Sequence, residues 1–505
     1  MSMVRMDDPG SAPVTPVAAP DGRRPGWRER TGSIAALIGL IGVAAVVSAV
    51  FWPGHANDDT FGMYREAVSG HFTDWHSAIW TAIWRAMLLA GIRSPGWMLA
   101  ADVLMMLGGL YLLLRVRMRR LWALLLATLV LVFPPVLAFA VVVGTDTWFA
   151  ASILCSFGFV CRSVRTRQAD RIASAVVAAV LAVLAVAARP TAVPPAFALF
   201  SALALVAFGT RLGGWRRALG VVAVGAVAAA LAFGTVLAIQ RSVLRTQQTH
   251  PEQATYVYDL VALSVREHQV LLPVEMYPRH DLGYISTYGV TAGSGHVDIS
   301  PLLWGPNAVI PPIVEGKRLD VLQHAWLAAI RQHPDSYLLT RLHSALWQLG
   351  IRGPELATWY GQTPSYYGFD RVLLPAVQTR ANDYVAIGTA RDATGGPLQA
   401  AWIYVLVLVL AAACYLPSRR PDSAVLGFLG LALLMYTTEI IFLSPAITYR
   451  YVWPAVAAAT VLFPIMVTDV VRGLRGWRRP AIATPAAASL LDAERATAPA
   501  AQPRG

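Results

Sequence analysis

The chain has 505 residues, of which 56% are hydrophobic and 14% are charged, and its mean hydropathy is +0.52. A soluble globular protein carries about a quarter charged residues, so this composition excludes an ordinary soluble protein. The net charge is +12, and the arginines that carry it lie in short clusters between apolar runs. Because cytoplasmic loops collect basic residues, we interpret the charge as a sign of topology and expect no nucleic-acid partner. The apolar runs, of about 18 to 22 residues, are long enough to be transmembrane helices.

The first part of the chain is predicted to be a disordered tail followed by seven spans. Residues 1–32, rich in Pro, Ala, Gly and Arg, form the tail, which its arginines place in the cytoplasm. Span 1 covers 33–52 and runs outward into a loop, 53–95, that is dense in carboxylates and histidines. Apolar residues at helical spacing around 79–88 predict an amphipathic helix, which lies on the membrane surface or packs on the bundle. Six more spans, among them 96–114 and 121–143, complete the block 33–239.

The second part is predicted to hold an aqueous domain and three more spans. Residues 240–398 contain no spanning run and mix charges of both signs in near balance, which is typical of a folded extracytoplasmic domain. We therefore predict an all-α polytopic membrane protein with about 10 transmembrane helices, a mostly helical extracytoplasmic domain and both termini in the cytoplasm. The remaining predicted segments are spans at 399–416, 424–443 and 451–470, within the block 399–471, and a disordered tail at 472–505.

Under this topology, the polar groups that could carry chemistry share the outer face. Asp58 and Asp59 end span 1, and Asp146 lies between spans 3 and 4. Arg189 and Arg450 lie in short outer loops on the same side. An arginine can hold a phosphate through two hydrogen bonds, and a carboxylate can take the proton from an attacking hydroxyl. The pattern favours a substrate that has a phosphate and a group to be transferred.

Among the carboxylates, we predict Asp59 as the general base in preference to Asp58. Partial burial at the membrane surface is expected to raise the pKa of its carboxyl group and make it a better base. Asp59 also precedes the helical-looking stretch 62–68, whose first turn can fix its direction. The alternative for both residues, and for Asp146, is a helix N-cap.

The remaining polar groups also have simpler interpretations. Arg189 and Arg450 could extend to lipid headgroups. The loop histidines His55, His71 and His76 lack a tight metal-binding spacing. Binding of a divalent metal ion nevertheless stays an alternative, because the neighbouring carboxylates could help to hold one.

Several short motifs resemble the GT-C glycosyltransferases, a group that includes protein mannosyltransferases, aminoarabinose transferases and uncharacterised bacterial relatives. The motifs are Asp58-Asp59, Tyr64-Arg65-Glu66-Ala67, Gly70 through Trp75-His76, Val143-Gly144-Thr145-Asp146, Arg189-Pro190-Thr191-Ala192, Asp259-Leu260, Trp326 with His333-Pro334 and Tyr337, and Tyr449-Arg450-Tyr451. The resemblance, which covers roughly residues 33–470, implies an essential acidic residue after span 1 and a second one in a later outer loop. It implies catalytic roles for Asp58, Asp59 and Asp146, and substrate-binding roles for Arg189, Arg450, His76, Tyr449 and Tyr451. The relatives often carry His-Pro where this chain has His76-Ser77.

The function that the resemblance implies is an inverting glycosyltransferase of a bacterial plasma membrane. It would move a sugar from a polyprenyl-phosphate donor in the membrane lipid to an envelope glycan, lipid or protein acceptor outside. No nucleotide-binding motif occurs in a suitable context, which agrees with a lipid phosphate as the leaving group. One alternative is a transporter or flippase of lipid-linked precursors, which should place ionisable groups near the membrane midplane. The other alternative is a non-catalytic membrane scaffold.

Overall fold

The computed structural model describes residues 27–208, 214–275, 281–289, 300–303, 316–351, 372–389, 398 and 400–477. The regular secondary structure in these ranges is helical. Two isolated parallel β-bridges, His55 with Val142 and Thr73 with Gln247, occur outside the helices. The predicted all-α class is therefore confirmed for the described part. Residues 1–26 and 478–505, which form most of the two predicted tails, lie outside it.

The helices, in chain order, fall into two groups separated by a π-helical turn at Ile239–Val243. The first group is α1 (Trp27–Val50), α2 (Asp58–Ser69), α3 (Ala78–Leu89), α4 (Gly96–Leu114), α5 (Arg120–Val132), α6 (Pro134–Ala140), α7 (Thr145–Arg165), α8 (Gln168–Ala188), α9 (Val193–Phe208) and α10 (Gly214–Ala238). The second group is α11 (Gln253–Arg266), α12 (Leu282–Gly289), α13 (Ser300–Leu303), α14 (Gly316–Gln332), α15 (Pro334–Gln348), α16 (Pro375–Thr389), α17 (Ala401–Tyr415), α18 (Pro421–Leu443) and α19 (Tyr449–Trp477).

Eight of the described helices are long and apolar enough to cross a membrane. The count rises to nine if α5 and α6, which meet at a 76° bend, form one broken span. The predicted eighth span is α17, whose 15 residues are fewer than the roughly 20 that a bilayer crossing needs. The predicted number of about ten spans therefore stays a prediction. Helix α1 begins at Trp27 and α19 continues to Trp477, so each extends into a predicted tail, and the predicted domain bounds stay predictions.

The bend between α5 and α6 corrects the prediction of one continuous span at 121–143. The sequence Phe133-Pro134-Pro135 stands at the break, and Pro134 is the first residue of α6. A proline cannot donate to the preceding turn and pushes the residue before it out of the helical region. Phe133 accordingly adopts an extended conformation, with φ −61° and ψ 126°. After the bend, α6 leads into Val141 and Val143, whose backbones bond to His55.

Small residues let the spanning helices pack closely. A β-carbon at Gly109 of α4 would lie 2.6 Å from the backbone nitrogen of Cys155 in α7. A β-carbon at Gly427 of α18 would lie 2.4 Å from the backbone nitrogen of Leu416, at the end of α17. Backbones that approach this closely gain van der Waals contact, which drives helix association in lipid.

The described parts of the predicted domain at 240–398 are helices, and several of them share a separate apolar core. Val257, Leu260 and Leu263 of α11 are fully buried there together with Leu322 of α14. The boundaries of this domain stay a prediction, since much of 276–315 and 352–371 lies outside the described residues.

Candidate functional site

Backbone hydrogen bonds tie the loop after α1 to the loop before α7. The His55 N–H donates to the Val141 carbonyl at 2.8 Å, and the Val143 N–H donates to the His55 carbonyl at 2.9 Å. The Thr60 hydroxyl adds a third link by donating to the Val143 carbonyl at 2.6 Å. These bonds hold the N-terminus of α2 beside the N-terminus of α7. They are the reason why the acidic residues of two distant segments lie at one place.

The capping geometry of α2 and α7 shows that the predicted acidic residues are not helix caps. Asn57 caps α2 by accepting from the Thr60 N–H at 2.9 Å, and Thr60 completes the capping box. Asp58 and Asp59 are the first two residues of the helix. At α7, Gly144 occupies the cap position without a side-chain bond, and Asp146 is the second residue of the helix. The N-cap alternative is wrong for all three, so their carboxylates are available for other contacts.

Two aspartate–arginine pairs form the centre of the site. Arg450, the second residue of α19, donates from Nη1 to Asp59 Oδ2 at 2.6 Å. Arg189, between α8 and the short 3₁₀ turn at Pro190–Ala192, forms an ion pair with Asp146, with Nη1 and Oδ1 2.7 Å apart. The Arg450 and Arg189 side chains are only 18% and 15% exposed. Both are therefore engaged inside the protein and do not extend to lipid headgroups.

Tyr451 joins the two pairs into one cluster. The Arg450 guanidinium carbon lies 4.9 Å from the centre of the Tyr451 ring, and that of Arg189 lies 5.0 Å from it. These are cation–π distances. Arg450 Nη2 also donates to the Tyr451 hydroxyl at 3.2 Å, and Arg189 Nη1 donates to the Tyr436 hydroxyl at 3.2 Å. We use the name Asp–Arg cluster for Asp59, Arg450, Tyr451, Arg189 and Asp146.

The charges of the cluster lower the pKa of Asp59. Burial favours the neutral carboxyl group, but Arg450, then His76 and Arg189, stabilise the carboxylate more strongly. The pKa of Asp59 is therefore held below its usual value of 3.8. The prediction that partial burial would raise it is wrong, because that prediction left out the arginines that the fold brings to the carboxylate.

The His76 ring packs against Gly62 of α2, on the helix that carries Asp59. A β-carbon at Gly62 would lie 2.4 Å from His76 Cε1, so only glycine leaves room for the ring. His76 Nδ1 is 2.9 Å from Glu66 Oε1, and the Thr73 hydroxyl donates to the same oxygen at 2.6 Å. This arrangement fixes the ring between α2 and the loop that leads into α3.

Two other predicted site residues adjoin members of the cluster along the chain but have different surroundings. Asp58 is exposed, next to Asp59 on the first turn of α2. Tyr449 is 2% exposed, and its ring packs against Phe139, with ring centres 6.0 Å apart, so it belongs to the helical core. Its predicted role in substrate binding stays a prediction.

The loop histidines lie at separate places. His55 is buried, with Nε2 3.2 Å from Asn382 Oδ1, whereas His71 is exposed and His76 contacts Glu66. Among the described residues, no three His, Cys, Asp or Glu side chains lie close enough to hold a metal ion together. A divalent metal ion at this site stays a prediction.

Sequence reasoning missed two polar residues near this end of the bundle. Tyr436 of α18 contacts Arg189, but a tyrosine in an apolar span ordinarily signals packing. Asp102 is fully buried in α4. A carboxylate within a spanning run is a functional signal by default, and that signal was present in the sequence.

Comparisons with known proteins find a match to one family and a similarity to the structure of one enzyme. Residues 34–253, less than half of the chain, match a family described as uncharacterised membrane protein Rv1490. A comparison with curated proteins finds no match. The structure is similar to that of the oligosaccharyltransferase of Archaeoglobus fulgidus tethered with an acceptor peptide, at 12% identity and a TM-score of 0.38, over 93% of this chain and 54% of that one. A second structure of that enzyme, with Zn and sulfate, gives 13% identity and a TM-score of 0.34, over 86% and 50%.

This chain therefore spans about half the length of the oligosaccharyltransferase. The family match fits an integral membrane protein. Because both TM-scores lie below 0.5, the functional conclusion is drawn from the chain's own site.

Proposed function

We propose that the chain is an inverting, GT-C-like glycosyltransferase of the bacterial plasma membrane. It transfers a sugar from a polyprenyl-phosphate donor to a cell-envelope acceptor on the outer face. The observation that carries the proposal is the Asp–Arg cluster, in which two arginines and two aspartates from four separate segments meet around one tyrosine. Guanidinium groups bind phosphate, and a carboxylate beside them can remove a proton.

The arginines are arranged to receive a phosphate. A guanidinium has five N–H donors, and Arg450 uses Nη1 for Asp59 and Nη2 for Tyr451. Its buried Nε has no hydrogen-bond partner among the described residues. Arg189 faces the same tyrosine ring from its own pair with Asp146. A phosphate between the two guanidinium groups would therefore find unused donors as well as two positive charges.

Donor binding and base activation are coupled in this arrangement. In the resting cluster Arg450 neutralises Asp59 and lowers its pKa. A donor phosphate competes for the same guanidinium, so Asp59 loses part of its stabilising charge and becomes a stronger base. The carboxylate is thus activated when the donor is in place.

The reaction then follows as a single displacement. The acceptor hydroxyl attacks the anomeric carbon of the sugar while the bond from that carbon to the phosphate oxygen breaks. The polyprenyl phosphate leaves with the bonding electrons, held by Arg450 and Arg189, and the hydroxyl proton passes to Asp59. Attack opposite the leaving group inverts the anomeric configuration.

Exposure distinguishes Asp59 from the other carboxylates as the base. The Asp59 side chain is 33% exposed, so an acceptor can reach it, whereas that of Asp146 is 9% exposed beneath Arg189. Asp58 is exposed but lies outside the arginine contacts. Asp146 accordingly positions Arg189.

The test compares lipid-linked sugars and envelope glycans in cells with the protein, without it, and with Asp59→Asn or Asp58→Asn in its place. Loss of the protein should remove one envelope glycan and accumulate its lipid-linked donor on the outer side. Asp58→Asn should restore the glycan, whereas Asp59→Asn should not. Accumulation of the donor on the inner side would instead indicate a transporter, and unchanged glycans in every strain would contradict the proposal.

A further inference from the structure

A cavity lined by arginines lies at the opposite end of the helices from the Asp–Arg cluster. It has a volume of about 630 Å³ and lies where the ends of α4, α7 and α19 meet the start of α5. It is a groove open to the surroundings and not an enclosed cavity. We call it the arginine pocket, after the five arginines that line it, Arg115, Arg117, Arg119, Arg165 and Arg472.

Carboxylates balance only part of this charge. Arg117 pairs with Asp469 at 2.7 Å and with Asp422 at 2.8 Å, and Arg165 pairs with Asp422 at 2.9 Å. Neither aspartate lines the pocket, and its lining contains no acidic side chain in the part of the chain that the structure describes. The remaining three arginines have no ion pair among the described residues, so the pocket carries an excess of positive charge. The members of this unpaired set are Arg115, Arg119 and Arg472.

Topology alone accounts for arginines at this end, but it does not account for the fixed positions of Arg115 and Arg472. Arg115 Nη1 donates to the Met118 carbonyl at 2.5 Å, and Arg472 Nη2 donates to the Arg117 carbonyl at 2.6 Å. Each of these bonds uses one of five guanidinium donors. The side chains are therefore held against the turn between α4 and α5, with most of their donors still unused.

The wall of the pocket on α5 is apolar. Trp122 and Leu126 line it, and the Trp122 side chain is 59% exposed. Tryptophan is enriched where hydrocarbon meets headgroups. A cavity with guanidinium groups on one side and an exposed tryptophan on the other matches a molecule with an anionic head and an apolar tail.

We propose that the arginine pocket binds the phosphate headgroup of an anionic phospholipid. The phosphate contacts Arg119 and Arg472, and the glycerol and first acyl carbons lie along Trp122. The predicted topology places this end at the cytoplasmic leaflet, where anionic lipids attract basic segments. The arginine pocket is separate from the Asp–Arg cluster, so this proposal does not depend on whether the chain transfers a sugar.

The test is a lipid titration of the purified full-length protein in detergent, followed by native mass spectrometry. The probes are dioleoyl phosphatidylglycerol, dioleoyl phosphatidylcholine and inorganic phosphate. One phosphatidylglycerol should bind saturably and more tightly than phosphatidylcholine. Arg119→Gln/Arg472→Gln should weaken that binding roughly tenfold or more, since each surface arginine contributes measurably to anionic lipid binding.

The control is Arg162→Gln/Arg419→Gln, which removes the same charge from exposed arginines outside the pocket. It should leave the affinity unchanged, and equal weakening by both pairs would overturn the proposal. Displacement of the lipid by millimolar inorganic phosphate would identify a soluble anion as the occupant and overturn the lipid assignment. As a second readout, brominated phosphatidylglycerol should quench a fluorescence component that Trp122→Phe removes. Equal quenching in both proteins would also contradict the site.

Discussion

Asp59→Asn is the sharpest perturbation of the candidate site. The substitution keeps the size of the side chain and removes the group that would accept the proton. It also leaves the start of α2 intact, because Asn57 and Thr60 provide the capping box. A loss of activity would therefore report on chemistry and not on a frayed helix.

The expected magnitudes follow from the contacts. General-base removal lowers a rate by about 10²- to 10⁴-fold, which corresponds to roughly 2.7–5.4 kcal/mol of activation free energy. The stability change is smaller. The lost contact is one charge-assisted bond at 2.6 Å between partly exposed groups, and such a bond contributes about 1.5–3 kcal/mol at most. An asparagine oxygen can still accept from Arg450, which reduces the loss further.

The assay measures release of polyprenyl phosphate by purified protein in lipid vesicles, beside thermal unfolding of the same sample. Asp58→Asn is the matched control, because it makes the same chemical change one residue away on an exposed side chain. Full transfer by Asp59→Asn with loss in Asp58→Asn would show that the base is the other residue. Full transfer by both variants would refute the acid–base role of this loop.

The pH dependence provides an independent check on the same residue. A carboxylate with a lowered pKa stays ionised to lower pH, so activity is full above that pKa and falls as the pH drops through it. The acidic limb of kcat/KM, which reports the free enzyme, should therefore lie below 3.8. The apparent pKa of the acidic limb of kcat should be higher than that of kcat/KM, because the bound phosphate draws Arg450 away from Asp59. A kcat limb at or below that of kcat/KM would contradict the coupling.

Three further predictions follow from the structure. Arg450→Ala should weaken donor binding about tenfold to a hundredfold, from the loss of a charged contact, while acceptor binding stays unchanged; equal donor affinity in calorimetry would remove the residue from the site. Gly62→Ala should displace His76, whose Cε1 would lie 2.4 Å from the new β-carbon, and lower transfer without lowering the melting temperature. Gly108→Ala, which meets no atom within 4 Å, is its control, and equal activity of the two variants would argue against a role for the ring. A cysteine at the exposed position Ser286, in a variant without native cysteines, should react with an impermeant thiol reagent in intact cells; reaction only after lysis would reverse the topology.

Much of the fold was predictable because it depends on local properties of the chain. Helical spans follow from apolar runs of sufficient length, and α4, α18 and α19 lie close to the predicted ranges. The break at Phe133-Pro134 also had a local signal, because paired prolines interrupt a helix. The capping of α2 by Asn57 was missed, although asparagine is as good a cap as the aspartates that follow it.

The sequence by itself determined that the chain is an α-helical membrane protein and which side chains gather at each end of its helices. It could not determine that Asp59 pairs with Arg450, 391 residues away, or that Tyr451 lies against both arginines. Those contacts depend on how α2, α7, α8 and α19 pack. The direction of the Asp59 pKa shift depends on them in turn, because burial and opposing charges act in opposite senses and only interatomic distances decide which effect is larger.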